Sequence, residues 1–251
     1  MGVLLEREVL GFPPSQGASW GGFRRLSLLD YPGKVASVLF VRGCNFRCPF
    51  CYNPELVRPS PQGGSSPSTE EILGYLRKRK GWVDGVVLTG GEPTLYPALP
   101  EFLRELKGEG LSVKLDTNGS NPEMLGRLLR EGLVDYVAMD VKAPLREDAY
   151  SRAAGVPAPL RAIRESLSLL LSSGVEYELR TTVVPTLLEE RDLLEIAGEI
   201  RGARRYYLQQ FRCTPHHLDE RFSRLPPYPR QFLEEIARKI SGYFGKCAVR
   251  G

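Results

Sequence analysis

Six short apolar segments, each followed by a stretch with helical signals, restrict this chain to a parallel α/β fold. The segments are Val35–Val41, Gly85–Thr89, Leu111–Asp116, Val134–Asp140, Val175–Val183 and Arg205–Gln210. Their aliphatic and β-branched content predicts buried strands. Ser68 followed by Glu71 is a capping box, which opens a helix running to about Lys80. Pro97–Lys107 predicts the next helix. Asn121-Pro122 sets an N-cap before a proline at the first helical position, and that helix runs to about Glu131. Pro159–Ser173 is closed by Gly174, and Leu187–Ile200 and the amphipathic Pro229–Phe244 follow. Strict β–α alternation implies right-handed crossovers in one parallel sheet. Six units fall short of the eight that close a TIM barrel. The expected fold is an open (β/α)6 partial barrel over residues 35–211. An irregular segment, 1–34, precedes it, and a loop and helix over 212–251 cover it. The Pro-, Gly- and Ser-rich run 58–67 predicts a surface loop.

Composition narrows the compartment and the partners. A net charge of +4 spread over 251 residues is too small a bias to indicate nucleic acid. No segment approaches the run of about 18 apolar residues that spans a membrane. Glu6, Arg7 and Glu8 stand where a signal peptide needs an apolar core. The chain is therefore expected in the cytoplasm, where thiols stay reduced. Five cysteines, three of them in one cluster, then point to metal binding and away from disulfides.

That cluster is Gly43-Cys44-Asn45-Phe46-Arg47-Cys48-Pro49-Phe50-Cys51-Tyr52-Asn53-Pro54. Its C-x3-C-x2-C spacing lies directly after the first strand and lets three thiolates face one metal centre. A structural zinc site wants a fourth ligand, usually from a second pair, and no second C-x-x-C exists. Three ligands suit a cubane iron–sulfur cluster that keeps one iron open.

C-x3-C-x-aromatic-C after the first barrel strand resembles the signature of the radical S-adenosylmethionine (SAM) superfamily, with Phe50 at the position that packs near the adenine. Thr89-Gly90-Gly91-Glu92-Pro93 resembles the family's GGEP motif, whose backbone and Glu receive the methionine amino group. Glycines permit close backbone approach, and ligands of parallel α/β folds sit at the carboxyl ends of strands. Asp116-Thr117-Asn118-Gly119 and Met139-Asp140-Val141-Lys142, at the next two strand ends, resemble the DTNG and D-x-K motifs of glycyl-radical-enzyme activating enzymes. The resemblance implies that Asp116, Thr117, Asn118, Asp140 and Lys142 contact SAM. It also implies that the two carboxylates, with the threonine, help to hold a monovalent cation. Arg180 lies on the fifth strand, where related enzymes point an arginine into the barrel; a buried charge there needs a partner, and a bound carboxylate would supply one.

Asp30-Tyr-Pro-Gly33, Cys51-Tyr-Asn-Pro-Glu-Leu56, Asp135-Tyr-Val-Ala-Met-Asp-Val-Lys142 and Arg180-Thr-Thr-Val-Val-Pro185 extend the likeness over residues 25–211. Together they resemble the anaerobic ribonucleoside-triphosphate reductase activating proteins. Tyr52 departs from the His or Gln that often follows the third cysteine, though its backbone still serves the adenine. The resemblance implies a 4Fe–4S cluster, reductive cleavage of SAM to a 5′-deoxyadenosyl radical, and hydrogen abstraction from a glycine of a partner, a class III anaerobic ribonucleotide reductase. Ferredoxin or flavodoxin would supply the electron. A radical SAM enzyme acting on a small molecule or a different protein, and a non-catalytic iron–sulfur carrier, stand as alternatives; the GGEP and D-x-K motifs count against the carrier, which needs no nucleoside contacts. Cys213-Thr-Pro-His216-His217 reads as a loop after the barrel with an incidental cysteine, and Cys247 stands alone.

Replacing Cys44, Cys48 or Cys51 by Ala should each abolish cluster assembly and SAM cleavage, whereas Cys213→Ala and Cys247→Ala should retain both. Iron and sulfide analysis after anaerobic reconstitution checks this, and loss of iron in either of the last two variants would contradict a single three-cysteine cluster.

Overall fold

The computed structural model describes residues 20–57 and 67–251. The chain runs through β1 (Trp20–Ser27), β2 (Ala36–Val41), α1 (Pro54–Val57), α2 (Thr69–Lys78), β3 (Gly85–Gly90) and α3 (Leu99–Gly108). It continues through β4 (Ser112–Thr117), α4 (Pro122–Arg130), β5 (Tyr136–Asp140), α5 (Glu147–Ala154), α6 (Leu160–Ser172) and β6 (Glu176–Val183). The last elements are α7 (Glu190–Glu199), β7 (Arg205–Gln210), α8 (Arg230–Ile240) and β8 (Lys246–Arg250). Among the described residues one sheet follows chain order from β1 to β8, and its ends do not pair, so the barrel is open. The strands from β2 to β8 pair in parallel, and β1 pairs antiparallel with β2. Among the described residues no helix is long and apolar enough to cross a membrane.

The six expected strands are β2 to β7. Besides the single turn α1, three elements were not anticipated. β1 falls within the segment expected to be irregular; its residues WGGFRRLS carry two glycines and two exposed arginines, so it shows no apolar run. β8 falls where only a loop and helix were expected, because α8 stops at Ile240, Ser241–Tyr243 make a single 3-10 turn, and the chain returns to the sheet. Both are edge strands, which need no continuous hydrophobic stretch. The third is α5, whose buried face is Ala149, Tyr150, Ala153 and Ala154. Its start has no side-chain cap, so no N-cap signal marks it. The loop expected over 58–67 lies outside the described residues apart from Pro67, as do residues 1–19 of the N-terminal segment.

Strand side chains alternate between two environments. Leu39, Val86, Leu88, Val113, Leu115, Val137 and Leu179 face the helices and build the main core with Leu103, Leu125, Ile163 and Leu193. The opposite face lines the barrel. At its lower end Val38, Val87 and Tyr136, with Ala36 and Tyr31, form a separate apolar plug. Lys114 of β4 lies level with Val87 and Tyr136, and above them the same strand faces become polar: Asp116 on β4, Asp140 on β5, Glu178 and Arg180 on β6. The interior is thus apolar at the base and charged towards the strand carboxyl ends.

Glu178 is 1% exposed and needs a counter-ion. Arg250 of β8 supplies it, with contacts of 2.6 and 2.8 Å to the two carboxylate oxygens, and the Tyr136 hydroxyl donates to the same group at 2.7 Å. The guanidinium stacks over the Tyr207 ring of β7, 3.3 Å from its centroid. The pair therefore bridges β6 to β8 across β7 and fixes the last strand. Arg250→Ala should lower stability by about 3 kcal/mol in urea unfolding, the lower end of the range for breaking a buried pair because Arg250 is partly exposed. The double variant Glu178→Gln/Arg250→Met should recover part of that loss, since it leaves no buried charge.

Candidate active site

The cysteine loop is held on three sides. At its start the Gly43 N–H donates to the Leu56 carbonyl at 2.6 Å, which folds the loop back over α1. In its middle the Arg47 N–H donates to the Ala154 carbonyl at the end of α5, 2.7 Å away. Gly155 turns α5 away with φ +68°, and a Cβ there would overlap the Arg47 carbonyl. The Arg47 guanidinium donates to the Cys44 and Phe46 carbonyls at 2.5 and 2.8 Å. On the far side the Asp219 N–H donates to the Pro49 carbonyl at 3.0 Å. Burial pushes the Cys44 thiol up to about 12, helped by the nearby Glu92 charge, and the Cys48 thiol up to about 11. Cys51 is raised for the same reason. Such thiols ionise only against a cationic centre.

The end of β3 docks on this loop through its backbone. The Gly91 N–H donates to Val41 at 2.9 Å and the Glu92 N–H to Gly43 at 2.8 Å. Gly90 has φ +110°, and a Cβ on Gly91 would overlap the Gly43 carbonyl, so both positions require glycine. Glu92, 1% exposed, faces inward and is already engaged. Oε1 accepts from the Thr94 N–H and hydroxyl and from the Thr117 hydroxyl at 3.1, 2.6 and 2.7 Å. Oε2 accepts from the Asn118 N–H at 2.7 Å. Burial raises its pKa, and these donors oppose the rise. The Glu92 carboxylate thus braces the ends of β3 and β4 together, a role its motif did not reveal. Asn118 in turn directs its amide at the Cys44 sulfur, 3.8 Å away, and at Asn45 Oδ1, 3.0 Å away.

A ladder of charges crosses the next three strands. Arg180 bonds Asp140 at 2.8 Å and Asp116 at 3.3 Å. Lys142 holds the other Asp140 oxygen at 2.8 Å, and Lys114 holds Asp116 at 2.5 Å. Burial alone would raise both carboxylates, but the Arg180 and Lys142 cations hold Asp140 well below the usual range, and Arg180 and Lys114 hold Asp116 down. Lys142 is correspondingly raised by Asp140 against the effect of its burial. Lys114, not singled out from the sequence, sits two residues before Asp116 and so shares its face.

Cys44, Cys48, Phe50, Cys51, Tyr52, Gly90, Gly91, Glu92, Asp116, Thr117, Asn118, Asp140, Lys142 and Arg180 all line one cavity of about 580 Å³. Every residue singled out from the motifs is therefore brought together. The cavity extends beyond them to Thr182, which the Arg180–Pro185 motif contains but did not single out, and to Gln209, Gln210, Arg212, Thr214 and Arg250. Gln209 and Gln210 end β7, and strand-end position was the available signal. The Gln210 amide nitrogen donates to the Tyr228 carbonyl at 2.8 Å, and its oxygen is buried with no partner among the described residues. Cys213 is exposed and donates to Ser223, while His217 is buried against backbone groups. Cys247, on β8, packs against the main core.

Residues 38–200 match the family model of the radical SAM superfamily. A protein of Methanocaldococcus jannaschii, named as a candidate glycyl-radical enzyme activating enzyme, is 33% identical over 91% of this chain and 94% of its own length. The chain belongs to the radical SAM superfamily, among its glycyl-radical enzyme activating enzymes. The pyruvate formate-lyase-activating enzyme of Clostridium pasteurianum is 29% identical over 76% of this chain and 79% of its own. The fold of SuiB from Streptococcus suis, solved bound to S-adenosylmethionine, superimposes on 83% of this radical SAM chain with a TM-score of 0.65 at 14% identity. The chain spans about half the length of SuiB, 48%.

Radical SAM membership implies a 4Fe–4S cluster and SAM. The donor set fits. Three thiols, Cys44, Cys48 and Cys51, line the same cavity, and a cubane would take one thiolate on each of three irons.

The depressed carboxylates of this radical SAM enzyme give a pH dependence with a defined sign. Folded Asp116 and Asp140 hold protons less tightly than unfolded ones, whose pKa is about 3.9, so the unfolded chain gains more protons on acidification. Their stabilisation is present at neutral pH and is lost as pH falls below roughly 4. In urea unfolding of cluster-free protein, Asp140→Asn should flatten that acid loss relative to wild type; superimposable pH profiles would contradict it.

Proposed function

We propose that this enzyme takes a hydrogen atom from a glycine of a partner enzyme, and that the partner is a class III anaerobic ribonucleotide reductase. The observation that carries the reading is the two-part cavity. One part gathers Cys44, Cys48 and Cys51 with Asp116, Asp140, Lys142 and Arg180. The other is walled by Thr182, Gln209, Gln210 and Thr214, together with Arg212 and an Arg250 already paired with Glu178. Its amide and hydroxyl groups can pair with peptide backbone. The orphaned Gln210 oxygen is an acceptor for an N–H that a peptide would bring. The motif likeness of residues 25–211 supports the reductase in particular. The relationship to a pyruvate formate-lyase-activating enzyme favours a lyase partner as the second reading.

When bound, the cluster and SAM supply one-electron cleavage of the sulfonium and a 5′-deoxyadenosyl radical. The chain's own residues do the rest. Cys44, Cys48 and Cys51 would hold the cluster, and the Asn118 amide beside Cys44 would stabilise negative charge on its sulfur. Lys142 and Arg180, fixed by Asp140, present cationic groups to a ligand carboxylate. Phe50 and the Tyr52 backbone would face the adenine, and the Gly90-Gly91 backbone would receive the methionine end. Burial of the cavity floor keeps water from a reactive radical. A monovalent cation between Asp116 and Asp140 forms no part of this reading, because Arg180 already bridges both carboxylates. Ferredoxin or flavodoxin in the cytoplasm would deliver the electron.

The test mixes reconstituted protein, reductant and SAM with either partner in the absence of oxygen. A glycyl radical in the electron paramagnetic resonance spectrum, with one 5′-deoxyadenosine per radical, is expected with the reductase. Radical formation on a formate-lyase alone would favour the second reading. Turnover of a free nucleotide with no partner present would overturn both.

A further inference from the structure

His217 is a polar side chain only 6% exposed, and neither the charge ladder nor the thiols use it. Its Nδ1 lies 3.2 Å from the Phe50 carbonyl oxygen, inside the cysteine loop. A carbonyl can only accept, so the contact with Phe50 is a hydrogen bond when Nδ1 carries the proton, and Nε2 then accepts from Thr214. Its Nε2 faces the Arg212 carbonyl at 3.2 Å and the Thr214 N–H at 3.4 Å. The ring completes a triangle of aromatic contacts, with centroids 5.1 Å from Tyr52 and 5.3 Å from Phe211, which are 6.3 Å from each other. Two further bonds run alongside. The Arg212 N–H donates to the Tyr52 hydroxyl at 2.8 Å, and the Asp219 N–H donates to the Pro49 carbonyl at 3.0 Å.

These contacts fasten the segment after β7 to residues 49–52, on both sides of Cys51. Phe50 and Tyr52 line the thiol part of the cavity, and Arg212 and Thr214 line the other part. We infer that His217 is a positioning residue that locks these two walls in register, so that the substrate wall and the cysteine loop move as one body. Naming the second wall as substrate-facing rests on the proposed function; the mechanical link does not. The arrangement gives a partner loop, seated against Arg212 and Thr214, a direct route to the backbone that carries Cys51. A metal-ligand role for His217 does not fit this geometry, because both ring nitrogens are committed to backbone groups and Cys213 points to Ser223.

The experiment measures amide hydrogen exchange in the full-length, cluster-free protein, then SAM affinity and partner KM after reconstitution. His217→Ala should speed exchange about tenfold or more in both 46–53 and 211–219 while β4 and β5 stay protected. It should weaken SAM binding roughly fivefold, as expected for one lost hydrogen bond, and raise partner KM more than it lowers kcat. His217→Gln, whose amide can still donate to Phe50, should restore slow exchange in 46–53. Should His217→Ala not fold, Tyr52→Phe removes only the hydroxyl that accepts from Arg212 and should give a milder form of the same two-segment pattern. Faster exchange confined to 211–219, or no difference between the Ala and Gln variants, would overturn the role. The exchange measurement needs neither cluster nor partner, so its failure sinks this link alone, whereas absence of a glycyl radical with wild-type protein sinks the proposed function alone.

Discussion

The grip of Arg180 on two carboxylates from neighbouring strands is the interaction on which the interior of this barrel depends. A guanidinium and two carboxylates taken from water would each cost several kcal/mol if left alone. Here Asp116 comes from β4, Asp140 from β5 and Arg180 from β6, so satisfying any one of them fixes the spacing of three strand ends. Lys114 and Lys142 complete the outer valences of the carboxylates. Against Asp116 and Asp140 stand Lys114, Lys142 and Arg180, so this ladder carries one more cation than anion. That surplus leaves the ladder receptive to a ligand carboxylate while each of its own charges is partnered. The apolar plug of Val38, Val87 and Tyr136 beneath it keeps the charges at the open end of the strands.

The same logic of mutual bracing operates across the thiol side. Glu92 accepts four hydrogen bonds from residues of two strand ends, and the backbone of its own motif is pressed against Gly43. The glycines are required because the approach is backbone to backbone, closer than any side chain allows. Displacing β3 would therefore move Cys44, and displacing β4 would move Glu92. A radical generated here must meet its target in a defined geometry, and rigidity built from buried, fully engaged polar groups provides it.

Much of this was legible in the sequence, for a physical reason. Parallel strands buried on both faces announce themselves as apolar runs, and ligand groups must follow them at their carboxyl ends. That is why β2 to β7 and the site residues from Cys44 to Arg180 stand out in the order of amino acids alone. The edge strands β1 and β8 do not, because one side of each meets no neighbour and their sequences carry Gly, Arg and Lys where a central strand carries Val. α5 was hidden by its uncapped start, yet it holds Arg47 and so the cysteine loop. Glu92 was found but given an incomplete role, since a motif names a residue type and not the donors that will surround it. Lys114 was missed because a lysine inside a strand reads as solvent-facing until its strand is seen to line a polar barrel.

The division of the cavity follows from the same distinction. Its thiol and charge-ladder part is made by strand ends β2 to β6, where geometry is dictated by the sheet and recurs with the fold. Its other part is made by the end of β7, the segment that follows it and β8, where no sheet neighbour lies beyond. β7 is held by β6 and β8, but the segment that follows it has no strand beside it, so its position depends on attachments outside the sheet. Arg250 reaching Glu178 anchors one margin and His217 reaching Phe50 anchors the other. Both anchors end on residues of the rigid half, one on β6 and one in the cysteine loop. The wall is free to differ in sequence between relatives that keep the same cofactor chemistry, provided that two such attachments survive. Specificity for a partner can then change through Gln209, Gln210 and Thr214 without disturbing the buried charge ladder beside the thiols.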